Sequence, residues 1–146
     1  MVSAVSIAGA LVLGGVATAA SSKPLTKKQF MKQADKICAA GNKATNALAQ
    51  QTFGNLGPNE RPDAATFAKF WAAAKAVLEV QIKEIRALNE PKADKQQVKK
   101  ILAAVQAGIA EVDADLQAAE TGTPFAKADK LAQQYGLKVC GAESGQ

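Results

Sequence analysis

The sequence predicts an all-α fold: an up-and-down antiparallel bundle of three long helices and a short C-terminal fourth, closed by one disulfide. Three observations carry that prediction. Apolar residues recur at helical spacing almost throughout the chain after Leu25, and no stretch alternates as a strand would. The links between the periodic stretches are short, which makes consecutive helices antiparallel neighbours. Only two cysteines occur, Cys38 and Cys140, one near each end of the helical part.

Residues 1–22, MVSAVSIAGALVLGGVATAASS, precede the helices and carry no charged side chain. Their apolar core around Val5–Val16 fits the central region of an export signal, and Ala17-Thr18-Ala19 supplies the small residues a signal peptidase accepts. Cleavage is expected after Ala19, giving a signal peptide over 1–19 and one helical domain over 20–146. No Lys or Arg precedes the apolar run, so either the start lies upstream or the amino-terminal charge serves alone. An uncleaved anchor is the rival reading, but the run is shorter than the ~20 residues a membrane span needs. The expected location is therefore secreted or extracytoplasmic, in the cell envelope.

In an oxidising compartment, two cysteines in a small exported domain are read as a bridged pair. A bridge from Cys38 to Cys140 would close a loop worth up to about 4–5 kcal/mol in chain entropy. A redox pair usually has CxxC spacing, and a metal site needs more soft ligands than the chain holds.

The first helix opens at Thr26: Thr26-Lys27-Lys28-Gln29 is a capping box, with Leu25 and Phe30 placed as a hydrophobic staple. Its apolar stripe runs Phe30, Ala34, Ile37, Cys38, Gly41, Ala44, Thr45 and Leu48. Gly41-Asn42 marks a kink or the close approach of a partner backbone. Residues 52–62, TFGNLGPNERP, read as a loop. The second helix starts near Pro62-Asp63 and presents Phe67, Phe70, Trp71, Ala74, Leu78, Ile82, Ile85 and Leu88 before Pro91 ends it. Asp94 is placed to cap the third helix. Its apolar positions, Val98, Leu102, Val105, Ile109, Val112 and Leu116, step by four and three, the period of near-parallel helix packing. Gly122 is expected to stop it, and Thr123-Pro124 to start the fourth as N-cap and first helical residue. Phe125, Ala128, Leu131, Ala132 and Tyr135 line that helix, and Gly136 closes it with Leu137 as the following apolar contact.

Two blocks of the chain, LTKKQFMKQADKIC at 25–38 and FAKADKLAQQYGLKVCG at 125–141, resemble the ends of a group of small exported actinobacterial-type proteins. Those proteins show an LTKxxFxxxADxIC opening and a YGLxxCG close around a variable helical middle. The resemblance covers about 31 of the 146 residues. It implies a secreted bacterial helical domain with a disulfide between the blocks, and it transfers no activity.

Composition narrows the chemistry. The chain has no His, which removes the commonest general base and metal ligand. Ser occurs only at positions 3, 6, 21, 22 and 144, so no serine nucleophile sits in the helical core. Neither a phosphate-binding glycine loop nor an HExxH or CxxCH pattern is present. The chain therefore reads as no enzyme, with no catalytic residue, metal or cofactor. Carboxylates are what remain, and Glu111, Asp113 and Asp115 form the densest group; on a helix Glu111 and Asp115 share a face from which Asp113 points away. A solvated acidic face is the simpler reading of these three.

The net charge of +5 is unevenly placed. Residues 23–59 hold Lys23, Lys27, Lys28, Lys32, Lys36 and Lys43 against Asp35 alone, whereas from Glu60 onward twelve basic and twelve acidic residues cancel. Lys28, Lys32, Lys36 and Lys43 fall within an arc of about 80° opposite the apolar stripe. Such a rail suits anionic wall polymers or lipid headgroups, with a salt-dependent grip; as a plain solvated face it would need no partner at all. Nucleic acid is not expected, because no aromatic residue interleaves with these lysines. Phe67, Phe70 and Trp71 share one helix face and read either as core or as the lining of a ligand pocket between helices. The functional expectation is a non-catalytic binding or envelope-associated module, a monomer whose partner is an anionic envelope component or another exported protein. A small hydrophobic-ligand carrier is the alternative, and a carboxylate-based hydrolase comes third.

Overall fold

A computed structural model describes residues 23–57, 60–121 and 123–142. The apolar N-terminal segment, with its expected cleavage site, and Gly122 lie outside these residues. Among the described residues four α-helices follow one another: α1 (Lys27–Phe53), α2 (Ala64–Ala87), α3 (Lys95–Ala114) and α4 (Ala126–Tyr135), with a 3₁₀ segment, Leu116–Thr121, between the last two. No strand occurs among the described residues. The all-α bundle with three long helices and a short fourth is thus the fold, and Cys38 and Cys140 form its disulfide with Cα atoms 5.2 Å apart.

The start of α1 forms as the capping box requires: the Thr26 side chain accepts from the Gln29 amide, and the Gln29 side chain accepts from the Thr26 amide at 3.0 Å. The end of α4 is equally local. Gly136 adopts φ 107°, its amide and that of Leu137 both reach the carbonyl of Ala132, and Leu137 turns into the core. A Cβ at that φ is strained, which is why glycine stands there.

Elsewhere the ends differ from expectation, each for an identifiable reason. α1 runs on to Phe53 without a break at Gly41. What comes close to Gly41 is the side chain of Gln81, where a Cβ would collide, and Gln81 donates to the Cys38 carbonyl at 3.3 Å. Asp63 serves as the N-cap of α2, accepting from the Thr66 amide at 2.9 Å, so Pro62 stands outside the helix. Asp94 occupies the N-cap position of α3 but makes no capping bond. Its carboxylate instead accepts from the Tyr135 hydroxyl at 2.9 Å, a tertiary bond that outcompetes the local one. α3 ends at Ala114, where Asp115 turns to extended backbone and the 3₁₀ segment takes over, so Leu116 lies beyond it. α4 begins at Ala126, three residues after Thr123, whose carbonyl accepts from the Ala126 amide.

All four helices feed one core. Phe30 and Ala34 of α1, Trp71 and Ile82 of α2, Val98, Ile101, Leu102, Ile109 and Val112 of α3, and Ala132 and Tyr135 of α4 form a single buried cluster. Phe30 and Tyr135 meet edge-to-face at 6.0 Å and are 1% exposed, so each aromatic truncation there would cost about 3–5 kcal/mol. α1 packs closely along α2, and α3 along α4 and the 3₁₀ segment, giving two helical pairs joined by the 88–94 link. Leu25 pins the entrance of α1 to that link through its amide and the Asn89 carbonyl, 2.8 Å apart.

Candidate functional site

α1 buries one stripe only: Phe30, Ala34, Cys38 and Gly41. Lys28, Lys32, Lys36 and Lys43 stand on the other side, all exposed, and none has an ion-pair partner among the described residues. At 1.5 Å per residue the rail is about 22 Å long. Lys27 faces elsewhere, its ammonium 4.5 Å above the Tyr135 ring.

Asp35 is the one acidic residue of α1, and its carboxylate is taken up by the C-terminal loop. Oδ1 accepts from the amides of Val139 at 2.9 Å, Lys138 at 3.2 Å and Cys140 at 3.3 Å. One turn further along the helix, Cys38 binds the same loop covalently. The residues that carry the resemblance are therefore one clamp: Phe30, Ala34, Asp35 and Cys38 on α1 hold Tyr135, Leu137 and Cys140 at the other end of the chain. Gly141 belongs to it as well, since a Cβ there would press on Gln133 and the Asp129 carbonyl. With Asp35 so engaged, the exposed face of α1 presents positive charge along its whole N-terminal half.

The three aromatic residues of α2 are divided by the fold. Phe67 and Phe70 are half-buried and stack toward Phe53 of α1, with Phe53 and Phe70 centroids 4.8 Å apart. Trp71 is buried against Phe125, and its Nε1 donates to Asp113 Oδ1 at 2.8 Å. Phe67 and Phe70 stand apart from the central core cluster that Trp71 joins.

The acidic group on α3 also separates. Asp113 bridges to α2, accepting from Trp71 and from Lys75 Nζ at 2.5 Å. The hydrogen bond from Lys75, followed by that from Trp71, holds the Asp113 carboxyl below the usual range, and the same contact raises Lys75. Asp115 has left the helix and accepts from the Gln117 amide at 2.9 Å, so it no longer shares a helical face with the exposed Glu111. Among the described residues no three carboxylates or cysteines come together as metal ligands would.

Sequence reasoning placed the exposed lysines and the disulfide, but it grouped Asp115 with Glu111, which the fold separates, and it missed what Asp35, Asp94 and Asp113 do. For Asp113 the signal was present: its offset from Glu111 and Asp115 aims it at the neighbouring helix. Asp35 and Asp94 bond to partners 103 and 41 residues away, which local spacing does not encode. No family model, curated protein or solved structure is similar to the chain, so the reading of its surface rests on these residues alone.

Proposed function

We propose that the chain is a non-catalytic, exported bacterial helical module that binds an anionic component of the cell envelope through the lysine rail of α1. One observation carries the reading. The only acid on α1 is withdrawn into the C-terminal loop, which leaves four exposed lysines in line with no acid among them. A surface of one sign attracts polyanions over roughly a Debye length, about 8–10 Å at physiological salt. The disulfide supports a location outside the reducing cytoplasm. No helix of the described residues is long and apolar enough to cross a membrane, which fits peripheral contact.

The test compares retention on an envelope fraction or an immobilised polyanion for the native chain and two variants of equal charge. Lys28→Glu, Lys32→Glu and Lys36→Glu together remove the rail; Lys92→Glu, Lys127→Glu and Lys130→Glu change exposed lysines elsewhere. The rail variant is expected to lose retention and the control to keep most of it. Equal loss in both would reduce the rail to a solvated face.

A further inference from the structure

The seam between α2 and α3 differs from the two closely packed helical pairs. Backbones approach closely between α1 and α2 and between α3 and α4, but much less so between α2 and α3. Long polar side chains span this seam instead. Asp113 ties it to Trp71 and Lys75 at one end, and Arg86 Nη2 donates to Gln106 Oε1 at 2.8 Å midway.

Two grooves of about 470 and 320 Å³ lie along it and meet at Arg86 and Gln106. Both are open to solvent along one side, so an occupant lies along the seam rather than enclosed in it. Their floors are apolar, Ile82 and Ile109 in the larger, Ile85, Val98 and Leu102 in the smaller. Neither is lined by Phe67, Phe70 or Trp71. Around the smaller groove stand Arg86, Lys95 and Lys99 against the single acid Glu90, and none of the three cations has an ion-pair partner among the described residues. In the larger groove Lys75 and Asp113 neutralise each other, leaving Lys83 and Glu79 in balance beside Arg86.

We propose that this seam binds a single-chain fatty carboxylate, its head group held by Arg86, Lys95 and Lys99 and its acyl chain lying over Ile82 and Ile109 toward Asp113. Charge complementarity selects an anionic head, and the guanidinium of Arg86 offers a planar fork matched to a carboxylate. The apolar floor selects a chain over a compact anion. The seam is long enough: from Lys95 to Asp113 α3 rises about 27 Å, and an acyl chain of about 15 Å, half of a bilayer core, fits within it. Trp71 reports occupancy directly, because its indole is bonded to the carboxylate that ends the groove.

The experiment titrates the full chain with dodecanoate below its micelle concentration, and with dodecanol as the uncharged analogue. Native mass spectrometry counts bound molecules and Trp71 fluorescence follows the site. One dodecanoate is expected to bind saturably, and dodecanol more weakly. Arg86→Gln with Lys99→Gln should weaken dodecanoate about tenfold, the loss of charge-assisted bonds. Ala103→Trp, which fills the smaller groove from an exposed position, should abolish uptake while the helical circular dichroism persists. Ala110→Phe does the same in the larger groove should the first variant not fold. The triple Glu variant of the rail should bind dodecanoate as the native chain does, which keeps this site distinct from that surface. Failure of saturable uptake, equal binding of acid and alcohol, indifference to the filling substitutions, or loss in the rail variant would each overturn the proposal.

Discussion

Replacing Asp35 by alanine would strand the amides of Lys138, Val139 and Cys140 beside the disulfide, where one carboxylate now accepts from all three. Hydrogen bonds to a charged group contribute about 1.5–3 kcal/mol, and the loop is partly open to water, so a loss of about 2 kcal/mol in urea-unfolding stability is expected. A change within a few tenths would show that the disulfide alone holds the loop. Asp113 makes a different, pH-dependent prediction. Its folded pKa lies below the usual carboxylate value because Lys75 and Trp71 donate to the ionised form. The stabilisation is therefore present above the unfolded value near 3.8 and lost as pH falls through the lower folded one. At the alkaline side Lys75 is raised above 10.5, so the pair persists until pH passes that higher folded value. Trp71 fluorescence should accordingly show an acid transition with its midpoint below 3.8, absent in Asp113→Asn.

At the scale of the helices, the termini show which signals sequence carries. Thr26 with Gln29, Asp63 with Thr66, and Gly136 with Leu137 all close bonds within five residues; the first and last were legible, whereas Pro62-Asp63 reads as first helical residue and first turn although Asp63 is the cap. Gly136→Ala is expected to cost about 1 kcal/mol, because its φ of 107° is left-handed and a Cβ would also reach Met31 Sδ at 3.0 Å. Thermal unfolding checks it, and an unchanged midpoint would mean that the C-terminus of α4 relaxes freely. At Asp94 a distant partner intervened. Asp94 has the residue type and position of a cap, yet Tyr135 is buried and its hydroxyl needs an acceptor, so the carboxylate turns inward. Burial and that same bond push the Tyr135 hydroxyl well above its ordinary value. The end of α3 was likewise hidden: the four-three stepping continues to Leu116, and both the helix and the 3₁₀ segment satisfy it. Of the two readings of Gly41, a kink or a close approach, the structure shows an approach, made by the Gln81 side chain of α2 rather than by its backbone.

Over the whole molecule, two helical pairs are tied by a shared core and by one covalent link that joins positions 102 residues apart. On the chain-entropy account, closing so long a loop restricts the unfolded chain by about 4.7 kcal/mol. Reduction, or Cys38→Ser with Cys140→Ser, should therefore lower unfolding stability by up to that amount, measured in urea with and without reductant; a loss below about 1 kcal/mol would show that the core and Asp35 suffice. Fold class, helix order and disulfide were legible because periodicity, short links and cysteine count are properties of the chain itself. The rail was legible for the same reason. Its freedom from acid was not, since that depends on where Asp35 is spent, and the grooves beside Arg86 were hidden because they arise from the spacing of α2 and α3. The rail is the central claim, and the most direct measurement is its affinity for an anionic polymer or vesicle as salt is varied. Affinity should fall steadily with salt, and the Lys28→Glu, Lys32→Glu, Lys36→Glu variant should show both weaker binding and a shallower dependence. The same affinity and slope in the variant would contradict the account.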